Sequence, residues 1–170
     1  ADYITINISS PNTEDLRSFH EQTKLNELLQ TINKEKKNLD SKVPIAVKVS
    51  PDIDDQEVNK ITEVLISNNI EVVIISNTSD SSRDSLNNIQ KHQKGGLSGK
   101  PIEKKSSILI NKFYKLLNGK IKIIGVGGVD SGKSAYEKFL AGANYVQLYT
   151  GMVFKGCLLY TSDAADERTW

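Results

Sequence analysis

Residues 44–78 read PIAVKVSPDIDDQEVNKITEVLISNNIEVVIISNT, and this stretch decides the fold class. It contains two short runs of β-branched residues, at 44–49 and 71–75, that are typical of strands. Apolar residues are consecutive in both runs, as expected of a parallel sheet that is covered on both faces. Between them, residues 54–69 carry apolar residues at helical spacing, so the stretch predicts a strand, a helix and a second strand.

The same alternation extends to both sides of this stretch. Further strands are predicted at residues 3–8, 121–126 and 144–149, and further helices at 21–37, 101–117 and 132–140. Strands that alternate with helices indicate an α/β fold with a parallel sheet and right-handed crossovers. Periodicity leaves two architectures open, a doubly wound open sheet and a part of a (β/α)8 barrel.

Length, charge and cysteine content exclude several classes of protein. The 170 residues suit one domain, and 22 Lys and Arg against 21 Asp and Glu give a net charge of +1, too small to indicate binding to nucleic acid. Cys157 is the only cysteine, which excludes an internal disulfide and a thiolate metal site. His20 and His92 have polar neighbours, so we predict surface positions for them and assign no metal. No apolar run approaches the ~20 residues of a membrane-spanning helix.

Polar residues or glycines follow each predicted strand. In both candidate architectures, ligand sites lie at the carboxyl ends of the strands. Asn, Ser and Thr are crowded at 7–13, which suits recognition of a polar planar ligand but is also typical of an Asx or Ser-Pro turn. Lys48 lies near the end of an otherwise apolar strand, and this position favours contact with an anion or a ligand.

Residues 127–134, GGVDSGKS, match the P-loop pattern of nucleotide triphosphatases between a predicted strand and a predicted helix. The following strand carries no terminal Asp for Mg²⁺, so we interpret the match as fortuitous. The glycines can still bind a phosphate at the helix N-terminus. A long polar loop at 79–100 ends in GGLSG at 95–99, where backbone N–H groups can also approach an anion.

Six short motifs lie at the predicted strand ends or in the long loop: NISSPNT at 7–13, PIAVK at 44–48, SNT at 76–78, GGLSGKP at 95–101, IGVGG at 124–128 and VQLYTG at 146–151. Together and in this order, they resemble the quinone-dependent class (class 2) of the dihydroorotate dehydrogenases. The resemblance covers residues 1–156 and implies an FMN-binding part of a TIM (β/α)8 barrel, about strands four to eight. The soluble class carries a cysteine at the position of Ser10.

The resemblance implies the oxidation of dihydroorotate to orotate, with FMN as hydride acceptor and quinone as final electron acceptor, in the synthesis of UMP. Ser10 would be the general base, with Thr13 as the hydroxyl that relays the proton. The substrate would be held by Asn7, Asn12, Asn77 and Thr78. FMN would be held by Asn7, Lys48, Ser76, Gly99, Gly127, Gly128, Tyr149 and Thr150; Ser76 replaces the threonine usual in the family.

Two departures from the family pattern limit what this chain is expected to do. The match begins at what would be the fourth of eight barrel strands, and the missing N-terminal region would carry the contacts with quinone and membrane. The resemblance implies a peripheral position on the inner membrane, on the cytoplasmic side in a bacterium, or alternatively on the mitochondrial inner membrane. We therefore expect the 170 residues alone to be inactive. Residues 157–170 do not resemble the family, and we interpret them as a non-native tail.

Three other interpretations stay open. Another FMN-dependent TIM-barrel oxidoreductase, of dihydropyrimidine or dihydrouridine type, would share the glycine turn and Lys48, but the Ser10 loop argues against it. A P-loop nucleotide-binding protein would use Lys133. A catalytically inactive barrel segment would serve as an interaction module.

Overall fold

Five parallel strands form one sheet in the computed structural model, which describes residues 1–81, 83–84, 86–157 and 159. The strands are β1 (Ile4–Asn7), β2 (Ile45–Val49), β3 (Val72–Ile75), β4 (Lys122–Val126) and β5 (Tyr145–Gln147). Their order in the sheet is their order in the chain, and every neighbouring pair is parallel. The predicted α/β fold is confirmed, and each strand lies within its predicted run.

Helices follow the strands. They are α1 (Gln22–Asn38), α2 (Asp55–Ser67), α3 (Glu103–Leu117), α4 (Gly132–Ala141) and α5 (Thr150–Lys155), with short 3₁₀ turns at Leu16–His20, Ile89–His92 and Lys100–Ile102. The first four agree with the predicted helices to within two residues at each end. The pattern did not predict α5, because its six residues are too few to show a helical repeat.

Local chemistry explains where the helices begin and end. Asp54 caps α2 and Ser131 caps α4, each through a capping box in which the side chain accepts a hydrogen bond from the backbone N–H three residues later. Gly142 ends α4 with a φ of 114°, a conformation that favours glycine. The helix predicted from residue 101 instead opens with the 3₁₀ turn Lys100–Ile102, a frequent start for an α-helix, so α3 begins at Glu103.

The sheet has an outer face that packs against helices and an inner face that bears few apolar contacts. Alternate residues of a strand point to opposite faces, so Ile45, Val47 and Val49 of β2 lie in the outer core. That core also contains Leu29 of α1 and Phe113 of α3, among other buried residues. On the inner face, the buried cluster contains Ala46, Ile74 and Ile124, with Val72 and Val126 partly buried beside them.

Two further findings concern sequence predictions. His92 is exposed as predicted, but the surface position predicted for His20 is wrong: that residue ends a 3₁₀ turn and is 6% exposed. Polar neighbours in sequence do not determine which side of a turn is buried. No helix among the described residues is long and apolar enough to cross a membrane. The predicted tail at 157–170 lies outside the described residues, apart from Cys157 and Leu159.

Candidate functional site

A cavity of about 160 Å³ opens at the carboxyl ends of β2 to β5. Seven of the eight residues predicted to hold FMN line it: Lys48, Ser76, Gly99, Gly127, Gly128, Tyr149 and Thr150. Asn77 and Thr78, predicted to hold the substrate, line it as well. The fold thus brings together residues as far apart in the sequence as Lys48 and Thr150, because parallel strands end at the same rim.

Lys48 carries the only charge among the described residues that line the cavity. Its half-buried side chain lies on the inner face of β2, between Asn7 and Ile74 in the strand register. Burial lowers the pKa of the Lys48 ammonium group. Among the described residues, nothing accepts a hydrogen bond from that group. A partly buried cation without a protein partner suits an electron-rich or anionic ligand atom.

Ser9 connects the ends of three strands. Its fully buried hydroxyl group donates to the Lys48 carbonyl oxygen at 2.6 Å and accepts from Asn77 Nδ2 at 3.1 Å. The same Asn77 amide donates to Asn7 Oδ1 at 3.0 Å, and Asn77 Oδ1 accepts from the Thr78 N–H at 2.8 Å. Asn7 does not line the cavity, but this network holds it beside Asn77 with its own Nδ2 group unpaired within the described chain.

The loop after β1 carries Ser10, Asn12 and Thr13, and these three residues do not line the cavity. The Asn12 N–H donates to Ser10 Oγ at 3.2 Å, while no hydrogen bond joins the Ser10 and Thr13 side chains in the described structure. The loop lies near the cavity nonetheless. A Cβ on Gly96 would lie 3.0 Å from Pro11 Cγ and 1.9 Å from Thr78 Oγ1, so the glycine brings the loop at 95–99 against both.

Two glycines line the cavity after β4, two strands away from Lys48 on β2. Gly127 and Gly128 follow β4 with φ of 113° and 78°, which favours glycine at both positions. A Cβ on Gly128 would lie 2.3 Å from Glu103 Cβ, so only glycine permits this approach to the start of α3. Thr150 Oγ1 donates to Ser98 Oγ at 2.9 Å and thereby joins the start of α5 to the long loop. This part of the cavity is a cradle of backbone and hydroxyl groups of the kind that binds phosphate.

The P-loop match at 127–134 has a different role in the structure. Ser134, which would ligate Mg²⁺ in a P-loop, is buried and accepts hydrogen bonds from the backbone N–H groups of Asp130 and Ser131 at 2.9 and 3.0 Å. Lys133 is exposed. The segment is therefore a glycine turn followed by a helix cap, and its serine hydroxyl is committed to that cap.

Sequence reasoning missed three polar residues at this rim. Ser9 and Ser98 lie within quoted motifs, but their role depends on partners 39 and 52 positions away, Lys48 and Thr150. Gln147 lines the cavity from β5, and its amide donates to the Tyr3 hydroxyl at 2.7 Å, next to β1 at the other edge of the sheet. Among the described residues, no group of three or more His, Cys, Asp or Glu residues could hold a metal ion.

This chain has the architecture of part of a (β/α)8 barrel: its parallel strands lie in the order of the chain, its helices pack against one face of the sheet, and its cavity opens at the carboxyl rim. The family model described as dihydroorotate dehydrogenase matches residues 1–162. The chain belongs to that family.

Curated relatives and solved structures agree with this assignment. The chain is similar to the dihydroorotate dehydrogenase (quinone) of Idiomarina loihiensis, at 44% identity over 92% of this chain and 48% of the relative, and to that of Pasteurella multocida, at 45% over 92% and 47%. It is also similar to the crystal structure of DHODH from Eimeria tenella in complex with ferulenol, with a TM-score of 0.92 and 31% identity, over 95% of this chain and 47% of that one. The chain spans about half the length of the curated relatives it matches.

Proposed function

We propose that this chain forms the FMN- and substrate-binding rim of an enzyme that oxidises dihydroorotate to orotate and passes the electrons to quinone, in the synthesis of UMP. The observation that carries the proposal is the ammonium group of Lys48, which has no hydrogen-bond partner among the described residues and lies half-buried in a cavity that the glycines after β4 also line. A cation on β2 and a phosphate cradle after β4, two strands away, would suit the flavin ring and the phosphate of FMN. Family membership and the names of the relatives support the substrate.

The described residues fit FMN at both ends. The phosphate and ribityl chain would lie against Gly99, Gly127, Gly128, Tyr149 and Thr150, where a Cβ on Gly128 would displace the start of α3. The ring would lie beside Lys48, Ser76 and Asn7. Bound FMN supplies the hydride acceptor for the reaction. Lys48 would stabilise negative charge on the ring.

The substrate would be oriented by amide groups. Asn77 is fixed by hydrogen bonds to Asn7, Ser9 and Thr78, so its position costs little ordering on binding. Asn7 Nδ2 has no acceptor among the described residues and could donate to a carboxylate or ring carbonyl. Asn12 and the Thr78 hydroxyl complete the proposed set, with Asn12 reaching the substrate from the loop after β1.

Ser10 would remove the C5 proton of dihydroorotate. A serine hydroxyl is a weak base, so the proton must pass from Ser10 Oγ to a further acceptor, and Thr13 is the proposed relay. The Asn12 N–H that donates to Ser10 Oγ stabilises negative charge on that oxygen. We assign quinone and peripheral inner-membrane contact to regions of the full-length protein outside residues 1–156, and we propose that residues 157–170 take no part.

An anaerobic visible absorption spectrum tests the proposal. The full-length protein expressed from the gene that contains this chain should show a flavin spectrum that bleaches when dihydroorotate is added, and the flavin should reoxidise with a quinone. A flavin that stays oxidised with dihydroorotate would indicate a related flavin oxidoreductase. Absence of flavin, with protection of the protein by ATP and Mg²⁺, would indicate nucleotide binding instead.

A further inference from the structure

Lys138 of α4 is fully buried, and the proposed reaction does not use it. Its Nζ donates to the Glu103 carbonyl oxygen at 2.8 Å and to Ser107 Oγ at 2.9 Å. No carboxylate of the described residues forms an ion pair with it. A buried ammonium group with two neutral acceptors is costly, and an apolar side chain of similar volume would often be as stable.

The sheet makes room for this lysine at a defined place. Gly125 points to the outer face of β4, and a Cβ there would lie 3.3 Å from Lys138 Cβ and 3.0 Å from Ile110 Cδ1. The lysine stem therefore packs against the β4 backbone two residues before the glycine turn begins. Lys138 is therefore packed against the end of β4 near the rim and is not exposed to solvent.

The Lys138 ammonium group and the turn at Gly128 both contact the backbone of Glu103. Glu103 is the first residue of α3, and a Cβ on Gly128 would lie 2.7 Å from its Cα. The carbonyl oxygen of Glu103 accepts from Lys138 Nζ and also from Ser107 Oγ at 3.1 Å. The first turn of α3 thus lies between the glycine turn and the buried cation.

We infer that Lys138 is a positioning residue for the phosphate end of the cavity. It holds the first turn of α3 against Gly128, and its charge favours a dianion bound at the glycine turn. The N-terminus of α3 is itself the positive end of a helix dipole, so a second positive charge there is unfavourable until an anion binds nearby. The inference rests on the proposed binding of FMN.

The ionisation of Lys138 is consistent with this role. Burial lowers the pKa of Lys138 to about 8; Glu103 and Glu137 oppose this shift and Lys100 adds to it. A bound phosphate dianion stabilises the protonated form of the lysine. Because protonation of Lys138 and binding of the phosphate are linked, the affinity for the phosphate should fall as the pH rises through the pKa that Lys138 has in the flavin-free protein.

The test compares FMN with riboflavin, which lacks the phosphate. Dissociation constants are measured by quenching of flavin fluorescence, with the flavin-free full-length protein and its Lys138→Met and Lys133→Met variants. Lys133 lies on the same helix but is exposed, so it is the matched control. We expect Lys138→Met to weaken FMN about tenfold and to leave riboflavin within about twofold, and Lys133→Met to change neither.

Equal weakening of both flavins by Lys138→Met, or no weakening of either, would overturn the inference. The unmodified protein gives an independent test should the variant not fold: its preference for FMN over riboflavin should decrease between about pH 7 and pH 9.5, and a constant preference also overturns the inference. Failure of the unmodified protein to bind any flavin would instead overturn the proposed function.

Discussion

The two faces of the sheet differ in what they contribute. Of the residues that the structure describes, twenty buried apolar ones form the outer core and three form the inner buried cluster. The inner face carries instead Lys48, the only charged residue among the described residues that line the cavity, and the polar residues at the strand ends. Substitutions on the outer face should therefore act mainly on stability, and those at the inner rim mainly on binding and catalysis.

The largest effect should come from the outer core. Phe113 is completely buried, and Phe113→Ala should lower the free energy of unfolding by about 3–5 kcal/mol, because it removes a large side chain and leaves a cavity. Ile124→Ala on the inner face should cost only about 2 kcal/mol, since few neighbours surround that residue. Urea unfolding of the 170-residue chain measures both. Equal losses would contradict the contrast between the faces.

At the inner rim, activity and stability should separate. Lys48→Met in the full-length protein should lower kcat/KM for dihydroorotate about a hundredfold, about 2.7 kcal/mol, and should leave the unfolding midpoint unchanged. Lys122→Met is the matched control, since Lys122 is exposed at the opposite end of the inner face. A similar loss of activity in the control would show that the effect is not specific to the position of Lys48 in the cavity.

Asp52 connects α3, which packs on the outer face, to the loop that follows β3 at the rim. It accepts hydrogen bonds from Ser79 Oγ at 2.6 Å and the Asp80 N–H at 3.0 Å, and it pairs with Arg17 and with Lys105 of α3. Burial alone would raise the pKa of Asp52, but the hydrogen bonds from Lys105, Ser79 and Asp80 outweigh it and hold the pKa well below its usual value.

A depressed pKa predicts sensitivity to acid. The stabilisation by Asp52 should be complete above the unfolded pKa of about 3.9 and should be lost as the pH falls toward the lower folded value. Asp52→Asn should lower stability at neutral pH by about 1–3 kcal/mol and flatten the dependence on pH below about pH 4. Urea midpoints from about pH 7 to pH 2 measure this. An unchanged slope would assign the acid sensitivity to other carboxylates.

The smallest effect should come from the bond between β5 and the residue before β1. Tyr3→Phe removes the acceptor of the Gln147 amide, but Tyr3 is 38% exposed, so the loss should be about 0.5–1 kcal/mol. Thermal unfolding of the chain measures it. A larger loss would show that the inner face contributes more to stability than its apolar cluster suggests.

The sequence predicts the fold better than the site. Strand and helix positions follow from local periodicity, and the glycine turn at Gly127 and the inward lysine at Lys48 are visible in the pattern. Contacts between residues that are distant in the sequence are not visible in the pattern. Lys138 resembles a surface lysine in the sequence, and its burial depends on the space left by Gly125 on another element. Ser9 resembles a turn residue, and its role depends on a carbonyl of the next strand.

The sequential order of the strands has a consequence for synthesis of the protein. Each strand pairs with the one made before it, so the sheet can grow at one edge while the chain leaves the ribosome. Lys48 and Asn77 then take their places early, whereas the phosphate cradle waits for β5 and α5. During synthesis of residues 1–157, the part of the site that would bind the flavin ring can therefore form before the part that would bind the phosphate.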